Sequence, residues 1–140
     1  MQGDARFAQV LGKMGCVVNM QPTAITVTGP VPRSQGGPGL QGVDEDCGDI
    51  PDAAMTLAVV GIFASGRTAI RNVYNWRVKE TERMAAMVAE LTKLGATCEE
   101  GRDYLIVDGL KEGQQLNSGV DVETYDDHRV AMCFSLAVRA

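Results

Sequence analysis

Apolar residues recur along this chain at two spacings, and the alternation of the two sets out its elements. Phe7, Val10, Leu11 and Met14 lie three or four apart, so Ala5 to Met14 is predicted as a short amphipathic helix that Gly15 stops. Cys16 to Met20 and Ala24 to Thr28 have strand character and flank Gln21-Pro22-Thr23, the composition of a hairpin. Gly29 to Gly42 holds five Gly and three Pro in fourteen residues and is predicted as an irregular surface loop, with Leu40 to Asp44 opening the next strand. From Ala53 to Phe63 the chain is apolar on nearly every side. Pro51 suits a first helical turn and Ala64-Ser65-Gly66 an end, so this helix should be buried. Thr68 to Val73 is a predicted strand. Met84, Met87, Val88, Leu91 and Leu94 return to helical spacing, giving a helix from about Glu80 to Leu94 closed by Gly95. Ala96 to Glu100 and Tyr104 to Val107 are strands turning at Gly101-Arg102-Asp103. A polar loop, Asp108 to Gly119, leads to a short strand, Val120 to Thr124, and a last helix from near Asp127 to the end. Met55, Met84, Met87 and Met132 fall on apolar faces and are expected in the core, as is Trp76, whose ring also suits stacking.

These elements repeat. Val10-Leu11-Gly12-Lys13-Met14-Gly15 matches Glu90-Leu91-Thr92-Lys93-Leu94-Gly95 at an offset of 80, each followed by a hairpin ending in Val27-Thr28-Gly29 or Val107-Asp108-Gly109. Val43-Asp44 matches Val120-Asp121, and Ala54-Met55 matches Ala131-Met132, at an offset of 77. The unit is strand, helix, strand, helix, strand, strand. Residues 40–108 hold one full copy, residues 1–29 the end of a preceding copy and residues 119–140 the start of a third. A segment that starts and stops inside units is not expected to be a complete natural domain.

Composition narrows the partners. The 140 residues fit a single α/β (α+β) domain able to bury roughly two thirds of its unfolded surface. A net charge of −5 with mixed signs gives no basic stripe for nucleic acid or an acidic membrane, so any bound anion should be small and locally held. No apolar run has the length of a membrane span, and Met1 to Gln9 is too polar for a signal peptide. Cys16, Cys47, Cys98 and Cys133 are scattered without a Cys-x-x-Cys pair. They are expected as reduced, mostly buried thiols of an intracellular protein and not as metal ligands, two disulfides being the alternative.

The candidate chemistry lies at helix starts. With the helix beginning near Glu80, Lys79, Glu80 and Arg83 occupy neighbouring positions of its first turn. Two cations there oppose the helix dipole, and an anion held by them and by the free backbone N–H groups would reverse the sign. The other reading is that Glu80 and Glu82 neutralise their neighbours on a solvated turn. The last helix repeats the anomaly: Asp126 or Asp127 can cap it, and His128 and Arg129 follow. Asp52 stands at the matching start of the buried helix, where an acid also needs no function to explain it. Gly36 to Gly42 lacks the spacing and strand-to-helix setting of a nucleotide-binding loop.

Asn75-Trp76-Arg77-Val78-Lys79-Glu80-Thr81-Glu82-Arg83, Ile50-Pro51-Asp52-Ala53-Ala54-Met55-Thr56 and the run Thr124 to Leu136 closely resemble the 5-enolpyruvylshikimate-3-phosphate (EPSP) synthase family. Three long motifs in the family's order make the resemblance specific, and it covers nearly the whole chain. Gln2-Gly3-Asp4 and Ile25 to Pro30 look most like plant and related forms. A related enzyme acting on a nucleotide sugar shares the fold, but the Tyr125 to Phe134 motif speaks against it. The resemblance implies the enolpyruvyl transferase fold: two domains of three βαβαββ units each, with this chain part of the C-terminal one. It implies transfer of enolpyruvyl from phosphoenolpyruvate to the 5-hydroxyl of shikimate 3-phosphate, with release of phosphate, in the shikimate pathway of aromatic amino acid biosynthesis, without a cofactor. Asp52 is implied as the base near that hydroxyl, and Asn75 and Lys79 as contacts to shikimate 3-phosphate, Lys79 also carrying a proton. Glu80 is implied in proton transfer at the enolpyruvyl carbon. Arg83, His128 and Arg129 are implied at the phosphoenolpyruvate end, where the herbicide glyphosate also binds.

The departures matter too. The other domain and a basic segment after the last helix, carrying a further lysine, are missing from the 140 residues. Cys47-Gly48 and Val130 differ from the commoner residues at their positions. The expectation is half a catalytic site that does not turn over alone, in the cytoplasm or the plastid stroma. The competing hypothesis is a non-catalytic small-anion-binding or assembly module.

Overall fold

A helix without a polar face has to be enclosed, and one such helix organises this structure. The computed structural model describes residues 3–139; Gln2 and Ala140, at the edges of the predicted motif and last helix, lie outside them. The elements are α1 (Arg6–Lys13), β1 (Val17–Met20), β2 (Ile25–Thr28), β3 (Asp44–Asp46), α2 (Pro51–Ile62), β4 (Arg67–Arg71), α3 (Arg83–Lys93), β5 (Thr97–Glu100), β6 (Leu105–Asp108) and α4 (His128–Phe134). Short 3-10 turns span Gly3–Ala5, Arg33–Gln35, Tyr74–Val78 and Ser135–Arg139. The enclosed helix is α2: Ala54, Met55, Leu57, Ala58, Val59 and Ile62 have no solvent exposure. Its missing first-turn N–H, at Pro51, is one that no helix bonds internally.

Two sheets flank the helices. β1 and β2 form an antiparallel hairpin, from Val17 opposite Thr28 to Met20 opposite Ile25. The larger sheet has the order β3-β4-β6-β5. β3 and β4 are parallel, joined by the crossover through α2, and the other pairs are antiparallel. From β3 to β6 the order is therefore strand, helix, strand, helix, strand, strand. Leu105 and Val107 of β6 and Ile70 of β4 face inward, and α2 packs on β4, β6 and α4. α1 contributes Val10 and Met14 to the same core, with Phe7 and Leu11 against it. No helix among the described residues is long and apolar enough to cross a membrane.

Several boundaries differ from the sequence reading. The strand expected to open at Leu40 begins at Asp44, Gln41 making only an isolated bridge to Ser65. α3 begins at Arg83 and not Glu80, because the Glu82 carboxylate accepts a hydrogen bond from the Ala85 N–H (2.8 Å) and caps the helix there. Val120 to Thr124 is not a strand. Its counterpart β3 pairs with β4, and the described residues contain no second β4 to pair with it. α4 gives way after Phe134 to the 3-10 turn. Met132 is 62% exposed, whereas Met55, Met84 and Met87 are fully buried. All four cysteines are free. Cys47 and Cys133 are buried, but Cys16 and Cys98 are only half-buried.

Candidate functional site

Three helix starts meet at one guanidinium. Asp52 is the second residue of α2, Arg83 the first of α3, and Asp127 the cap of α4 with Arg129 two residues on. The connection from β4 to α3 is fixed from both sides. The Trp76 indole N–H donates to the Pro51 carbonyl at 2.7 Å, tying the Tyr74–Val78 turn to the start of α2. Arg77 donates to the carbonyls of Gly101 (2.7 Å) and Arg102 (3.2 Å) and pairs with Glu82, the cap of α3. Trp76 is thus a packing residue, fully buried.

Arg83 leaves this scaffold with its side chain only 2% exposed. Its Nε donates to Asp127 Oδ2 (2.8 Å), Nη1 to Asp52 Oδ1 (2.9 Å) and Nη2 to Glu80 Oε2 (2.8 Å). Arg129 Nη2 lies 3.4 Å from the other oxygen of Asp52. Burial draws the Arg83 pKa down, but the bond to Asp127 and the charges of Asp127, Glu80 and Asp52 override it and leave the value raised. Burial likewise pushes Asp127 up, and the Arg83 bond and the Arg129 N–H bring it below the usual carboxylate range. Arg83 and Asp127, the buried pair at the centre, each hold the other in its charged form.

The sequence reading had an anion compensating the cations of the α3 start. In the structure three carboxylates do so, and Lys79 is not in the helix: it follows the 3-10 turn in extended backbone. Glu80 does neutralise Arg83, as the alternative reading had it, but around a buried guanidinium and not on a solvated turn. Asp52, Glu80, Arg83 and Arg129 are brought together. Lys79 and His128 are exposed and enter none of the ion pairs of this cluster. Asn75 is half-buried, and its Oδ1 and the Arg129 Nε are buried atoms without a hydrogen-bond partner among the described residues. A buried polar atom left unpaired costs about 1–3 kcal/mol, so both are open to a ligand's polar groups.

Asp127 was legible only as a cap; its bond to Arg83, 44 residues away, left no sequence signal. Just before it, Tyr125 and Asp126 both adopt left-handed backbone, with φ of 56° and 55°. Each costs roughly 1–2 kcal/mol for a residue with a side chain, so the surroundings must hold this loop. A cleft of about 650 Å³ lined by Leu11, Val27, Pro30, Val60 and Phe63 lies at the opposite end of α2, roughly 16 Å of helix from Asp52, and contains none of the site residues. Among the described residues no group of three or more His, Cys, Asp or Glu is placed to hold a metal ion.

Sequence comparison decides the family. The EPSP synthase model, described as 3-phosphoshikimate 1-carboxyvinyltransferase, matches residues 1–140. The chain belongs to the EPSP synthase family. EPSP synthase relatives match it along its whole length: the chloroplastic 3-phosphoshikimate 1-carboxyvinyltransferases of Petunia hybrida and Arabidopsis thaliana are 53% and 51% identical over 140 residues. The enzyme of that name from Idiomarina loihiensis is 50% identical over 136 residues, 97% of this chain. The chain spans 26% of the length of the two plant relatives and 29% of the bacterial one. An EPSP synthase structure from Acinetobacter baumannii superposes with a TM-score of 0.72 at 26% identity, covering 92% of this chain and 31% of that one.

Proposed function

We propose that this chain supplies one wall of the site of a 3-phosphoshikimate 1-carboxyvinyltransferase, as part of its C-terminal domain, with residues 1–29, 40–108 and 119–140 belonging to successive units. The observation that carries the proposal is the placement of Asp52 between the guanidiniums of Arg83 and Arg129 at the meeting of three helix starts. Helix N-termini and preorganised cations are what two anionic substrates need when they are held against their own repulsion. In this reading Asp52 takes the proton of the 5-hydroxyl as its oxygen bonds to the enolpyruvyl carbon of phosphoenolpyruvate. Glu80 delivers a proton to the adjacent methylene, and reversal of that transfer accompanies loss of phosphate. Asn75 and Lys79 contact shikimate 3-phosphate; Arg83, His128 and Arg129 take the phosphoenolpyruvate end, where glyphosate would compete. Lys79 and His128 reach the site only when substrate or the partnering domain draws them in.

The 140 residues alone are expected to show no turnover, since the other wall belongs to the rest of the polypeptide. Relatives named chloroplastic favour a plastid location, with cytoplasm open through the bacterial ones. The test is a two-dimensional NMR titration of the chain with shikimate 3-phosphate, phosphoenolpyruvate and inorganic phosphate in turn. Shifts confined to Asp52, Asn75 to Arg83, His128 and Arg129 support the proposal, and shifts elsewhere alone count against it. A non-catalytic anion-binding or assembly module is separated by mutation. With the segment placed in the full-length Petunia hybrida relative, Asp52→Ala and Glu80→Ala should each cost about 10²-fold or more in kcat if they move protons. A binding module would be sensitive only at Lys79, Arg83 and Arg129.

A further inference from the structure

We propose that Glu90, two turns along α3 from Arg83, is a positioning residue that fixes Arg83 and Asp127 by gripping the loop that leads into α4. The inference rests on the reading of the site given above.

Arg83 and Glu90 are seven residues apart on α3, so they lie two turns apart on one face. Both reach the same segment. Glu90 has no side-chain exposure and uses both oxygens: Oε1 accepts from the Tyr125 hydroxyl (2.8 Å) and from Lys93 Nζ (2.9 Å), and Oε2 from the Glu123 N–H (3.1 Å). A buried carboxylate is a poor way to gain stability, because an apolar side chain of similar volume avoids its desolvation. What Glu90 does that an apolar residue cannot is hold the loop at two points. The held residues, Glu123 and Tyr125, precede Asp127, and Tyr125 with Asp126 forms the pair of left-handed residues, a conformation that persists only where the surroundings over-determine it. The Asp127 N–H donates to the Thr124 carbonyl at 2.9 Å, which makes the position of the cap depend directly on the loop. Asp127 in turn takes the Arg83 Nε and caps the Arg129 N–H (2.8 Å). Glu90 therefore stands behind both guanidiniums that address Asp52. Burial pushes its carboxyl up, while Lys93, Tyr125 and the Glu123 N–H keep it below the usual range and ionised. The Glu90 hydrogen bond raises Tyr125 to about 12, so its hydroxyl stays a donor.

The test compares the 140-residue chain with its Glu90→Gln and Tyr125→Phe variants by ¹⁵N NMR. Two signals are followed: the Arg83 Nε–H, which reports the bond to Asp127, and the Trp76 indole N–H, which reports the fold at the start of α2. The expected result is hydrogen exchange at Arg83 Nε faster by about ten-fold or more in both variants, with Trp76 unchanged. Unchanged Arg83 exchange in both variants overturns the proposal. Equal loss of both signals in both variants also overturns it, since Glu90 would then serve the fold at large. Inorganic phosphate titrated into the unaltered chain tests the functional reading separately. Absence of shifts at His128 and Arg129 counts against that reading and leaves the Arg83 comparison, which needs no ligand, to stand or fall by itself.

Discussion

Arg83 is the residue on which the site turns, and its burial sets what mutation there should do. Asp127→Asn removes its one fully buried counter-charge while Asp52 and Glu80 remain, so a loss of about 3 kcal/mol is expected by urea denaturation, at the lower end for a broken buried pair. The pH dependence has a definite sign. Asp127 and Glu90 are both held below their ordinary values, so the stability they confer is complete above about pH 4, where the unfolded chain would titrate. It drains away as pH falls through their lower folded values. The urea midpoint should therefore drop steeply below about pH 4, and less steeply in Asp127→Asn. Much of this was closed to sequence reasoning. Asp52, Glu80, Arg83 and Arg129 stood out as charges at helix starts. Nothing along the chain could show that an acid 31 residues before Arg83 and another 44 after it arrive at the same guanidinium.

At the scale of elements, pattern succeeded where burial follows from the chain's own periodicity and failed where a neighbour decides. The all-apolar α2 and both hairpins were legible. The start of α3 slid by three residues because Lys79 and Glu80 are good helix formers, and Glu is not among the favoured caps. Glu82→Ala should cost about 1 kcal/mol in the chain, and Glu82→Asp much less, as measured by thermal or urea unfolding. Val120 to Thr124 has strand composition but no partner strand among the described residues. Met132 matches buried Met55 in the repeat but is exposed. The approaches to α2 and α4 are each held by the helix before them. Arg6 of α1 holds Glu45 and Asp49 ahead of α2, and Glu90 of α3 holds Glu123 and Tyr125 ahead of α4. Where β6 ends, a Cβ on Gly109 would fall 1.7 Å from the Ala64 carbonyl oxygen, so Gly109→Ala should push the strand end from the α2 terminus. A loss of about 1–3 kcal/mol is expected by the same unfolding assay, with the spectrum of the Arg83 cluster unaltered.

For the molecule as a whole, the fold brings the charges of three separate helices into one small volume. The side chains of Asp52, Glu80 and Asp127 against those of Arg83 and Arg129 sum to one negative charge, which the positive ends of the α2, α3 and α4 dipoles offset in part. The cluster is therefore close to neutral, its guanidiniums already matched by its own carboxylates. A dianion entering it must carry a counter-charge with it, either by drawing in Lys79 and His128 or by taking up a proton from solution. In the second case the heat of phosphate binding, followed by calorimetry, will depend on the ionisation enthalpy of the buffer. Identical heats in phosphate titrations run in Tris and in HEPES at one pH where both buffer would assign the counter-charge to the lysine and histidine instead.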